Sequence, residues 1–117
     1  MNEKKWVLMM GRYQPLHAGH IKLIRTVLDK GNNVQIGLRR ADGGDKNPYD
    51  YIARIDMIRK EFTKEMRHGR VKIVELEDIT EIAYGRKVGY SFNQIQLDDE
   101  TEQISGTKVR KQMKENK

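Results

Sequence analysis

Five consecutive apolar residues, Trp6 to Met10, end abruptly at Gly11, and from residue 19 a different apolar rhythm takes over. Ile21, Leu23, Ile24, Val27 and Leu28 recur at helical spacing as far as Lys30, where Gly31 ends the run. A short apolar run without alternation predicts a central strand buried on both faces. The second pattern predicts a helix over residues 19–30.

Further along, residues 34–38 read as a second strand, and residues 39–48 as a polar, glycine-rich loop. A second helix is expected from about Asp50, with Ile52, Ile55, Met57, Ile58 and Phe62 on its buried side. Residues 71–76 supply a third strand, residues 82–84 a short fourth closed by Gly85, and residues 91–97 a fifth. Val109 and Met113, four apart, mark a last helix over residues 105–114. Strands alternating with helices predict an α/β fold with a parallel sheet and right-handed crossovers. No repeat, low-complexity tract or linker divides the sequence, so residues 1–117 are expected to form one domain.

Lys and Arg total 23 against 17 Asp and Glu, a formal net charge of +6. Such a balance favours anionic partners, whether nucleotides, phosphorylated metabolites or nucleic acid, without choosing among them. The absence of cysteine excludes disulfides and thiolate metal sites. The apolar run after the polar start is far too short for a signal peptide or a membrane span. A cytoplasmic location with no membrane partner is the expectation.

Two segments concentrate chemistry. Gly11-Arg12-Tyr13-Gln14-Pro15-Leu16-His17-Ala18-Gly19-His20 joins the first strand to the first helix, where ligands of open parallel sheets collect. Gly11 permits a sharp turn, and Pro15 stiffens the loop. His17 and His20 fall on one side of a helix start, and Gly19 leaves room for a phosphate beside amides that attract anions. Taken alone, two histidines three apart are as readily helix caps or surface residues. A zinc site would lack ligands, since His68 is the one other histidine and there is no cysteine.

The second segment is Ile104-Ser105-Gly106-Thr107-Lys108-Val109-Arg110. Its hydroxyls, its glycine and its arginine suit a helix start that grips a polyphosphate. In isolation it is an ordinary serine cap with solvated basic residues.

Together, His17-Ala18-Gly19-His20 and Ile104 to Arg110 resemble the paired motifs of the nucleotidyltransferase superfamily with a His-x-Gly-His signature. The resemblance implies a Rossmann-like three-layer sandwich with a five-stranded parallel sheet, Mg²⁺ as cofactor, and a homo-oligomer, dimer or larger. It implies transfer of a nucleoside monophosphate from an NTP to a phosphorylated small-molecule acceptor, with release of pyrophosphate. His17, His20 and Arg110 would be catalytic. Gly11, Arg12, Tyr13, Gln14, Gly19, Tyr84, Gly85, Arg86, Ile104, Ser105, Gly106 and Thr107 would bind nucleotide or phosphate. Lys22, Arg39, Arg40, Lys46 and Arg54 are candidates for the acceptor. No protein metal ligand is expected, because Mg²⁺ can bridge phosphate oxygens and water.

Gly11-Arg12-Tyr13-Gln14-Pro15, with Asn47-Pro48-Tyr49 and Ala53-Arg54-Ile55, is similar to archaeal-type nicotinamide-mononucleotide adenylyltransferases, which favours ATP. Ile21-Lys22-Leu23 and the short length instead resemble glycerol-3-phosphate cytidylyltransferases, which use CTP. Some phage-encoded members are also short. Two other classes stand beside the enzyme: a non-catalytic nucleotide-binding module, and an RNA-binding protein. The last ranks lowest, since basic and acidic residues are intermixed, as in Glu61-Phe62-Thr63-Lys64-Glu65, and no aromatic platform is visible.

Overall fold

The computed structural model describes residues 5–40, 43–86, 89 and 91–97. Within them the chain runs β1 (Trp6–Gly11), α1 (Ala18–Asp29), β2 (Asn33–Arg39), α2 (Tyr51–Glu61), α3 (Thr63–Arg67) and β3 (Val71–Leu76). The strands form a parallel sheet in the order β1-β2-β3, with Val7 opposite Val34 and Val34 opposite Val71. This register aligns Val7, Met9, Val34, Ile36, Leu38, Val71 and Ile73 on one face. Val34, Ile36 and Leu38 of the middle strand are fully buried there, with Ile24, Val27 and Leu28 of α1 and Ile58 and Phe62 at the α2–α3 junction in the same core. Each such side chain removed from water contributes about 1.5–3 kcal/mol before entropy is counted.

Several expectations need correction. The fold is α/β and parallel, but only three strands form among the described residues. Residues 82–84 and 91–97 have no ladder partner, and Ile82 and Tyr84 are exposed. The first strand is not covered on both faces either. Its exposure alternates, and Trp6 and Leu8 are 44% and 52% accessible. Nothing among the described residues packs a helix on that side. Leu8, Met10 and Leu76 instead close over Gly37, where an added Cβ would lie 2.5 Å from a Leu76 methyl.

In the second helix Ile52 points to solvent, and Arg54 takes the place expected of an apolar residue. The reason is helical phase: residues 54, 58 and 62 are successive four-residue steps along one stripe, and 52 lies off it. Phe62 ends α2 as its C-cap, and the short helix α3, which the residue pattern does not anticipate, follows before the third strand. The expected helix 105–114 lies outside the described residues. Among those described, no helix is long and apolar enough to cross a membrane.

The end of α1 shows how local sequence terminates an element. Gly31 has φ +87°, and its N–H donates to the Leu28 carbonyl at 2.9 Å. A Cβ at this position would meet no atom within 4 Å, so any penalty there is purely conformational. Gly31→Ala is expected to lower the unfolding free energy by about 1–2 kcal/mol, read as a shifted denaturant midpoint at constant slope.

Candidate active site

The carboxyl end of β1 turns into α1 through residues 12–17, and the first turn of a helix leaves main-chain N–H groups without helical partners. Two imidazoles satisfy them. His17 is the N-cap, and its Nδ1 accepts hydrogen bonds from the N–H groups of Gly19 (3.1 Å) and His20 (3.4 Å). The His17 N–H in turn donates to His20 Nδ1 at 3.2 Å. It is a reciprocal capping box built from histidines rather than from Ser and Glu. The rings stack, with centroids 3.7 Å apart and planes 19° from parallel.

These bonds decide the protonation of both rings. A nitrogen that accepts a main-chain N–H cannot itself carry a proton, so each neutral imidazole holds its hydrogen on Nε2. The cationic form is disfavoured as well. Burial lowers the His20 pKa to about 3, with the His17 charge adding to the effect. Burial lowers His17 too, partly opposed by a main-chain hydrogen bond. The site therefore presents two neutral Nε2–H donors at a helix N-terminus, whose dipole favours an anion.

The turn itself is held from beneath. Tyr13 has φ +52°, a conformation that residues other than glycine rarely adopt. Its hydroxyl donates to the Met9 carbonyl at 3.0 Å, and its ring lies 4.6 Å from that of His20. Burial pushes its phenol above the ordinary range, so it stays protonated. Gln14 is buried and clasps Tyr49: its Nε2 donates to the Tyr49 carbonyl and its Oε1 accepts from the Tyr49 N–H, both at 2.9 Å. Arg12 Nη1 reaches Asn47 Oδ1 at 3.4 Å. The loop ahead of α2 is thereby fastened to the loop ahead of α1.

The other singled-out residues divide clearly. Gly11, Arg12, Gly19, His17 and His20 lie together at this turn. Tyr13 and Gln14 belong to it as buried supports. Arg54 is 0% exposed, and its guanidinium donates to the carbonyls of Arg12 (2.9 Å), Arg39 (2.7 Å) and Asp50 (3.3 Å), a placement beneath the loops rather than at their surface.

Arg39 pairs with Asp78 at 2.5 Å and Arg40 with Glu75 at 2.6 Å. Lys22 and Lys46 are exposed. Tyr84 is 66% exposed, 5.5 Å from the Phe92 ring, and Gly85 and Arg86 are exposed beside it, so Tyr84 is not a core residue. Ile104, Ser105, Gly106, Thr107 and Arg110 lie outside the described residues. An open cleft of about 360 Å³ near the carboxyl ends of β1 and β2 is lined by Met10, Arg39, Ile79, Thr80, Glu81 and Ile82, none of them in the histidine turn.

Sequence reading missed the supporting partners. Asn47, Tyr49 and Asp50 bind the site from a distant loop, and Glu75 and Asp78 neutralise the two arginines. Asn47 and Tyr49 are marked in the sequence only by resemblance, whereas position 54 carries a physical signal: an arginine four residues before Ile58 and eight before Phe62 sits on the apolar stripe.

A depressed histidine pKa means that the unfolded chain binds a proton before the folded one does. His20 therefore adds stability that is complete above its unfolded pKa of about 6.5 and is lost as pH falls towards 3. Unfolding free energy is expected to decline from pH 6.5 downward, less steeply in His20→Asn. Imidazole ¹⁵N spectra at pH 7 should show protonated Nε2 and bare Nδ1 at both His17 and His20.

This chain is similar to known proteins in sequence and, over part of its length, in structure. The nicotinamide-nucleotide adenylyltransferase of Thermococcus kodakarensis is 33% identical over 75 residues, which is 62% of this chain and 40% of that protein. Its counterpart in Pyrococcus furiosus is 40% identical over 53 residues, 44% of this chain and 28% of that one. The chain thus spans less than half the length of the curated relatives it matches. A bifunctional NMN adenylyltransferase/ADP ribose pyrophosphatase from Francisella tularensis superposes with a TM-score of 0.57 at 26% identity, over 65% of this chain and 23% of the other. Residues 8–83, well over half of the chain, match the family model described as cytidylyltransferase-like, and they include the histidine turn. The chain belongs to the cytidylyltransferase-like family.

Proposed function

We propose that this protein is a nucleotidyltransferase that moves an adenylyl group from ATP to a phosphorylated acceptor of the nicotinamide-mononucleotide type. The observation that supports it best is the pair of stacked, neutral imidazoles. Their Nδ1 atoms are committed to the main chain, which leaves two Nε2–H donors where a strand ends and a helix begins. The names of the relatives above support the acceptor class and the base.

In the reaction an oxygen of the acceptor's phosphate attacks the α-phosphorus of the NTP. A new P–O bond forms as the bond to the β-phosphate bridging oxygen breaks, and pyrophosphate departs with that electron pair. The attacking phosphate is already anionic at neutral pH, so no side chain needs to remove a proton. Catalysis is then positioning and charge stabilisation. His17 and His20 donate to oxygens of the α- and β-phosphates, and the α1 N-terminus adds its dipole. Arg110, with Ser105 and Thr107, takes the departing pyrophosphate.

Mg²⁺ suits this donor set as a companion of the triphosphate. Among the described residues no three His, Asp or Glu side chains gather into a cage, and a hard cation is well served by phosphate oxygens and water. Bound so, it would neutralise charge on the leaving group.

CTP with a phosphorylated alcohol is the second reading, favoured by the description of the matching family model. Thermal shift with Mg²⁺ and each of ATP, CTP, GTP and UTP separates the two, because selective binding raises the melting temperature by mass action. ATP is expected to give the largest shift. In a pyrophosphate-release assay with nicotinamide mononucleotide, His17→Ala and His20→Ala should each lower turnover by roughly 10² or more with the fold retained. Full activity in His20→Ala would remove the basis of the assignment.

A further inference from the structure

We infer that Arg54 is a positioning residue of this site, setting the pose of the histidine turn through main-chain carbonyls and not through contact with substrate. The inference rests on the nucleotidyltransferase reading above.

Arg54 lies on the buried stripe of α2 with Ile58 and Phe62, a place where an apolar side chain would pack without desolvating a charge. An arginine there is explained by what its head group reaches. Nη1 donates to the Arg12 carbonyl at 2.9 Å and to the Arg39 carbonyl at 2.7 Å, and Nε donates to the Asp50 carbonyl at 3.3 Å. Those oxygens belong to three segments: the turn after β1, the last residue of β2 and the N-cap of α2. One planar fork joins all three. A lysine ammonium, a point charge on a flexible stem, cannot reproduce that spread of directions.

The link to the histidines runs through the backbone. The carbonyl of Arg12 belongs to the peptide that enters Tyr13, whose φ of +52° persists only while its surroundings impose it. The Tyr13 ring abuts His20 at 4.6 Å, and His20 Nδ1 in turn receives the His17 N–H. Freeing the Arg12 carbonyl lets the Tyr13 peptide relax and withdraws the packing that orients His20. Transition-state donors displaced by about 1 Å cost roughly 10² in rate, while binding of the triphosphate changes little.

The test compares wild type with Arg54→Lys and Arg54→Met in three measurements: thermal melting, pyrophosphate-release kinetics with ATP and nicotinamide mononucleotide, and imidazole ¹⁵N spectra of the ligand-free protein. The expected result is folded variants whose kcat falls roughly 10²-fold while the KM for ATP moves by no more than a few-fold. Lysine should fail to restore the rate, and His20 should lose its single Nε2–H tautomer signature. If Arg54→Met does not fold, Arg54→Lys decides.

Wild-type kcat together with unchanged imidazole spectra in a folded variant overturns the inference. So does failure of both variants to fold, which would make Arg54 a stability residue alone. A rise in KM with unchanged kcat overturns it in favour of direct substrate contact. If wild type itself releases no pyrophosphate, the proposed function fails separately, and the imidazole spectra of the variants still decide the role of Arg54.

Discussion

The first turn of a helix exposes main-chain donors that must be satisfied, and here two histidines satisfy them. That requirement governs the chemistry of the turn. Because His17 and His20 cap the helix through Nδ1, the location of their protons follows from backbone geometry. Burial lowers the pKa of both rings and favours their neutral form. A cap made by serine and glutamate would satisfy the backbone equally well but would leave no imidazole donors aimed outward. The helix cap and the candidate catalytic groups are thus opposite nitrogens of the same two rings.

Around this turn the fold spends its buried polar groups on main-chain carbonyls and amides. Gln14 pairs with both backbone groups of Tyr49, and Arg54 bonds to Arg12, Arg39 and Asp50. Arg70 does the same at the opposite end of α1, donating to the carbonyls of Leu28 and Asn32. The Gln14–Tyr49, Arg54–Arg12 and Arg70 bonds each span 35 or more residues of sequence and fasten loops to one another. The basic surplus is tempered in a similar way. Arg39 and Arg40 face Asp78 and Glu75, and Arg25 pairs with Glu65 across the helices. The positive charge of this protein is therefore less uniform than its total implies.

The elements nearest the histidine turn were the most legible. The apolar run at β1, the helical rhythm of α1 and the third strand all appear close to where their residue patterns put them, because each is a local property of period and punctuation. The limits appear where a pattern is shared by two environments. A continuous apolar run does not distinguish a strand covered on both faces from one covered on a single face. Trp6 and Leu8 show the difference. Residues 82–84 and 91–97 have strand-like composition, yet a strand needs a ladder partner, and among the described residues they have none.

What the sequence determined by itself is the chemistry on offer: two histidines at helical spacing at a helix start, after an apolar strand, in a basic chain. Those are near-neighbour relations, and short-range sterics and hydrogen-bond demand are enough to establish them. Only the tertiary structure decided which polar residues support that turn and which face solvent. Arg54, Tyr49 and Asn47 meet the turn across 35 or more residues of chain. Contacts at that separation depend on how the sheet brings its loops together, and no local pattern encodes them.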